Sequence, residues 1–154
     1  MSPTAYCLMP PASPREAVVN AARRWLGTPY HHAADVPRVG VDCAMLLVRV
    51  FVDSGVIAPF DPRPYTRDWM LHRDDERFQG WVLGSARPIS EPQPGDVVLF
   101  KVGRSFAHGG VVTGIEPLTM VHAYSRAACV VEEAIDRNPD FAARERLFFS
   151  HWGA

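Results

Sequence analysis

The sequence predicts an α+β fold: N-terminal helices packed on a C-terminal antiparallel sheet of about five strands. Three observations lead there. Apolar residues recur at helical spacing in the first half of the chain, and short β-branched runs separated by turns fill the second half. Between the halves, Glu91-Pro92-Gln93-Pro94-Gly95-Asp96 is a cluster of turn formers. The third observation is the stretch Ala44 to Val52, apolar almost without a break and therefore a buried helix.

Residues 1–12 are rich in proline and read as an extended, flexible tail. Ser13-Pro14-Arg15-Glu16 is a helix start: a Ser cap, Pro at the first helical position and Glu three residues after the cap. Ala17, Val18, Ala21, Ala22, Trp25 and Leu26 continue one apolar stripe, and Gly27 stops it. Thr28 to Gly40 is a loop that carries Tyr30, His31 and His32. Asp42 is a good N-cap for the buried helix, and Gly55 suits the left-handed residue beyond its end. Ile57 to Tyr65 is an irregular connector, and Thr66 caps a third helix running towards Leu83. The strands then follow as Val97–Phe100, Gly110–Thr113, Met120–Tyr124, Cys129–Glu132 and Leu147–Trp152.

The 154 residues suit a single domain, spanning 1–154, with enough chain for a sizeable core. A formal net charge of −1 gives no basic face for nucleic acid. No apolar run approaches the roughly 20 residues of a membrane span. The start lacks the basic and apolar regions of a signal peptide, so synthesis in the cytoplasm is expected, with export by another route. Three cysteines without CxxC spacing support neither a disulfide framework nor a four-Cys zinc site, and no cofactor is expected.

The position of Cys43 singles it out. It falls in the first turn of the buried helix, where unpaired N–H groups and the helix dipole favour thiolate over thiol. A nucleophile needs a base within reach, and that base an orienting partner. A hairpin turning between Gly114 and Pro117 brings His108 opposite residue 122 or 123, and so beside His122. Cys43, His108 and His122 then form a Cys-His-His triad of nucleophile, proton shuttle and orienting group. The backbone N–H of Cys43 is the natural oxyanion donor.

Five motifs occur in order: Gly27-Thr28-Pro29-Tyr30, Gly40-Val41-Asp42-Cys43, Pro94-Gly95-Asp96-Val97-Val98-Leu99-Phe100, His108-Gly109-Gly110-Val111-Val112 and Val121-His122-Ala123. Together they resemble the NlpC-type cell-wall peptidases, compact papain-like cysteine peptidases, across roughly residues 14–135. The run from Tyr65 through Trp69-Met70-Leu71-His72-Arg73 further resembles members encoded in phage-tail or gene-transfer-agent clusters.

The resemblance implies hydrolysis of peptidoglycan stem peptides, typically at the γ-D-glutamyl–diaminopimelate bond, with phage-tail proteins as partners and delivery to the cell wall. It assigns Cys43 as nucleophile, His108 as base and His122 as orienting residue. It also nominates Asp42 for the substrate amine and Tyr30 beside the nucleophile. Ala44 and Met45 stand where the family commonly has Ser-Gly, with Met45 narrowing the cleft floor, and His31-His32-Ala33-Ala34 replaces Trp-Gly-Gly. Three other readings compete: amidase or acyl-transfer chemistry on the same fold, a zinc site using Cys43 and the histidines, and a silent wall-binding module of a tail tip.

Overall fold

The structure is a computed structural model that describes residues 13–65, 80, 84 and 86–153. Helix α1 (Pro14–Arg23) starts as its sequence dictates: the Ser13 hydroxyl accepts from the Glu16 N–H, and Pro14 fills the first helical position. A two-stranded ribbon, β1 (Asp35–Val36) and β2 (Gly40–Val41), leads into α2 (Cys43–Asp53). Gly40 is required by space, because a Cβ there would sit 2.8 Å from the His31 ring.

The second half is a six-stranded antiparallel sheet. Its strands are β3 (Arg87–Ile89), β4 (Val97–Val102), β5 (Ser105–Ile115), β6 (Leu118–Tyr124), β7 (Cys129–Ala134) and β8 (Arg146–Ser150). Their spatial order is β3-β8-β4-β5-β6-β7. A 3-10 turn (Ile135–Arg137) and a short helix, α3 (Pro139–Ala142), connect β7 to β8. The α+β expectation is met, and β3 is the strand beyond the five read from sequence. Its three residues include Pro88, which is tolerated near a sheet edge, and so carried no strand signature. The third helix read over Thr66 to Leu83 lies outside the described residues.

Alternation along the strands builds two apolar layers. Val97 and Leu99 face α2 with Val111, Val121 and Ala123, where Leu46, Leu47, Val50 and Phe51 are fully buried. Val98 and Phe100 point the other way with Val112 and Met120, under Ile135 and Phe141. A strand with both faces covered reads as an unbroken apolar run, as Val97–Phe100 does. Contact between α2 and the sheet is close at Gly109, where a Cβ would lie 2.8 Å from both Leu47 and Leu99. The start of α1 is tied to the sheet by Arg15, which donates to the buried Asp96 at 2.8 Å and lies over the Trp152 ring.

Strand β5 is longer than its apolar pattern suggests. The tight turn at Gly103 pairs Val102 with Ser105, so His108 lies inside the strand, opposite Phe100, and not at its beginning. On its other side Val111 pairs with Val121. The ladder therefore sets His122 across from Gly110, and His108 and His122 are diagonal neighbours on one face rather than a direct pair. A Cβ on Gly110 would come within 3.2 Å of the His122 Cβ.

Candidate active site

The site begins at the start of α2. Asp42 is extended (φ −109°, ψ 178°), and its Oδ1 accepts the Met45 N–H at 2.8 Å. Its Oδ2 accepts two more donors, the Ala33 N–H at 2.7 Å and the Tyr65 hydroxyl at 2.6 Å. A charge-assisted bond from each direction locks the 28–40 loop and the 56–65 connector to the helix start. His32 closes the same knot, its Nε2 lying 2.9 Å from the Tyr65 carbonyl oxygen. Arg63 reinforces it, donating to the Ala33 carbonyl and to Asp35 and Asp61.

Cys43 is thereby held at the first helical position, 5% exposed. Its sulfur lies 3.9 Å from the Ala107 carbonyl oxygen, so the thiol touches the strand beside His108. Burial pushes the Cys43 thiol up to about 12, and the neighbouring Asp42 charge acts in the same direction. The N–H groups of Ala44, Cys43 and Gly109 oppose this and lose. The expected thiolate is therefore corrected to a resting thiol: the helix start stabilises the anion, but burial outweighs it.

The base side is a chain of imidazoles. His108 Nε2 lies 2.8 Å from His122 Nδ1, and His122 Nε2 lies 2.7 Å from Glu133 Oε1. Phe141 of α3 stacks on the His108 ring at 5.0 Å and meets the His122 ring edge-on, while Tyr124 stacks on His122. In that apolar setting burial, then His122 and Arg144, hold His108 well below its ordinary value. Burial alone takes His122, with no exposed surface, down to about 4. Cys43 and His108 are both neutral at pH 7.

The two sides meet in a cleft of about 190 Å³ lined by Cys43, His108 and Tyr30 together with Tyr124, Arg126 and Arg144. Of the two nominated substrate contacts, Tyr30 faces this space, while Asp42 is engaged by its three donors and 4% exposed. Met45 is turned into the core rather than the cleft floor. His31 packs against Gly40 and His151 against Phe51; His72 lies outside the described residues. Among the described residues, no three His, Cys, Asp or Glu side chains converge as a metal site.

Sequence reading missed Glu133, Asn138 and Phe141. Asn138-Pro139-Asp140 carried a usable signal, a cap followed by Pro at the first helical position, and Asn138 Oδ1 does cap α3. Nothing local marked Glu133.

A thiol at the head of a buried helix, sharing a cleft with a histidine carried on an antiparallel sheet, is the arrangement of a papain-like fold. Residues 27–138 match the NlpC/P60 family model, so the chain belongs to the NlpC/P60 family. A search of curated proteins returned no match. Among solved structures, the NlpC/p60 domain of the peptidoglycan hydrolase SagA aligns over 86% of this chain and 96% of its own, at 18% identity and a TM-score of 0.59. NlpC1 from Trichomonas vaginalis aligns over 95% of this chain at 18% identity and a TM-score of 0.63, and this chain spans 47% of it. The peptidoglycan hydrolase RipB from Mycobacterium tuberculosis aligns over 100% of this chain and 74% of its own, at 21% identity and a TM-score of 0.61.

Proposed function

We propose that the chain is a cysteine peptidase that hydrolyses peptidoglycan stem peptides, at the γ-D-glutamyl–diaminopimelate bond, as part of a phage-tail apparatus delivered to the cell wall. The observation that carries the hydrolytic reading is the shared cleft onto which Cys43 and His108 open, with His122 bonded behind His108. Family membership supports peptidoglycan as substrate. The phage-tail setting rests on the resemblance of Tyr65 to Arg73.

In this reading His108 takes the Cys43 proton as sulfur attacks the scissile carbonyl carbon. The carbonyl oxygen becomes an oxyanion facing the Cys43 N–H, a helix-start donor with no partner within the helix. Collapse expels the amine, which receives the proton from His108, and leaves a thioester on Cys43. His108 then deprotonates water, which attacks the thioester; the acid leaves and the thiol regains its proton. Because thiol and imidazole both rest neutral, proton transfer accompanies attack. Tyr30 lines the substrate side, and Asp42 acts by fixing the loop that carries it.

Mass spectrometry of defined muropeptides incubated with the wild type and with Cys43→Ala tests this. Cleavage between D-glutamate and diaminopimelate by the wild type alone is expected. Full activity of Cys43→Ala, or release of the peptide from muramic acid, overturns it.

A further inference from the structure

The carboxylate behind the second histidine decides which nitrogen of the first is basic. A backbone N–H can only donate, and one of them fixes the direction of the whole chain of bonds. The Asp140 N–H points at Asn138 Oδ1 at 2.9 Å, so that atom is an oxygen and the other end of the amide is the NH2. This Nδ2 lies 2.9 Å from Glu133 Oε1, which must therefore accept. The same Oε1 lies 2.7 Å from His122 Nε2, and an ionised carboxylate has only lone pairs to offer. His122 thus carries its proton on Nε2, and its Nδ1, in a neutral ring, can only accept. The atom facing that lone pair at 2.8 Å is His108 Nε2, which must donate. His108 Nδ1 is left as the basic nitrogen.

We propose that Glu133, oriented by Asn138, is a positioning residue: through His122 it fixes the tautomer that makes His108 Nδ1 the proton acceptor for Cys43. Glu133 has no place in the cleft and touches neither thiol nor substrate space, so it acts only through the ring between. Polarity thus runs in one direction from the N-cap of α3 to the cleft. Without Glu133, His122 Nε2 loses its acceptor and the ring can move its proton to Nδ1. Nδ1–H would then face His108 Nε2, which would have to give up its own proton and leave Nδ1 protonated towards the thiol. Outer groups of this kind typically change function by about 10–100-fold.

The charged and titratable groups around the pair are few. His122 meets His108 and Tyr124 from the sheet, and Glu133 from β7. From α3, Asp140 accepts from the Tyr124 hydroxyl and from Arg126, and Arg144 acts on His108 from beyond the helix. Among the described residues, Glu133 is the carboxylate that accepts a hydrogen bond from this imidazole pair.

The experiment has a spectroscopic arm and a kinetic arm. The first takes the 15N spectrum of the full chain labelled at histidine, assigned by single His→Gln variants. The wild type should show His122 and His108 each protonated at Nε2 and bare at Nδ1 at pH 7. A proton on His122 Nδ1 overturns the inference whether or not the chain cleaves peptidoglycan, so this arm stands apart from the proposed function.

The kinetic arm rests on that function. Glu133→Ala should lower kcat by about 10–100-fold with KM held, while Glu133→Gln, whose amide oxygen still accepts both bonds, should recover most of it. Removing the negative charge also favours neutral His108, so the acid limb of kcat/KM should move to lower pH in Glu133→Gln. Wild-type kcat in Glu133→Ala, or equal loss in Ala and Gln variants with unchanged pH limbs, overturns the inference.

Discussion

The two walls of the cleft each carry a carboxylate, and they use it in opposite ways. On the helix wall Asp42 adjoins the nucleophile directly, and its three hydrogen-bond donors make it a fastening for the surrounding loops. Its charge works against the thiolate. On the sheet wall Glu133 stands one imidazole away from the base and accepts from Asn138 and His122, so its charge favours a proton arriving on the histidine pair. A fixed charge beside a group shifts that group alone, whereas a charge relayed through a ring also sets where the ring's proton lies. One wall keeps the thiol protonated and the other is arranged to receive the proton.

The severest way to break this contrast is to delete the nucleophile. Cys43→Ala should reduce muropeptide cleavage by about 10⁴-fold or more, since covalent catalysis has no substitute in the cleft. Product release followed by liquid chromatography measures it. Next in size, His122→Leu should lower kcat by about 100-fold while the protein stays folded, because His108 loses its acceptor in a ring-sized apolar space. Steady-state kinetics beside a thermal melt separates the two effects.

The helix wall is probed by alkylation. With the thiol raised to about 12, Cys43 in the folded chain should react with iodoacetamide at pH 7 far more slowly than in the urea-unfolded chain, as read by peptide mass mapping. Asp42→Asn should quicken that reaction by removing the adjacent charge. It should also cost about 1–3 kcal/mol, since in either orientation the amide nitrogen meets a backbone N–H, of Met45 or of Ala33, that an oxygen had accepted. Equal alkylation rates in both proteins would remove the opposition between the two carboxylates.

The gentlest test is pH. His108 is held well below its ordinary value and must be neutral to act, so activity should fall only on the acid side, well below the pH at which a free imidazole titrates, as His108 gains a proton. From about pH 7 to 9 the rate should be flat, because neither partner titrates there. A maximum near neutrality with a decline by pH 9 would point instead to a thiolate–imidazolium pair at rest.

How much of this was legible in the sequence follows from how local each signal is. Cys43 at a helix start was readable because Asp42 and Gly55 punctuate the helix within its own residues. The His108–His122 neighbourhood was readable from one hairpin, although the register came out offset because the chain turns between Ile115 and Leu118, later than a turn centred on Gly114 to Pro117. The inward turn of Asp42 depends on Tyr65, which arrives from a connector without periodicity. Glu133 looks like any charge on an edge strand until α3 folds Asn138 against it. The place of β8 between β3 and β4 is set by pairing such as Val97 with Phe149, which no short-range pattern encodes.

Gly109 carries a hydrogen where any other amino acid would carry a carbon, and so lets the second helix settle onto the sheet at its nearest approach. An alanine there would act as a shim under Leu47. Since the thiol rides at the head of that helix and its would-be base on the very next strand residue, the gap between the reacting atoms is gauged by the thickness of one missing methyl group.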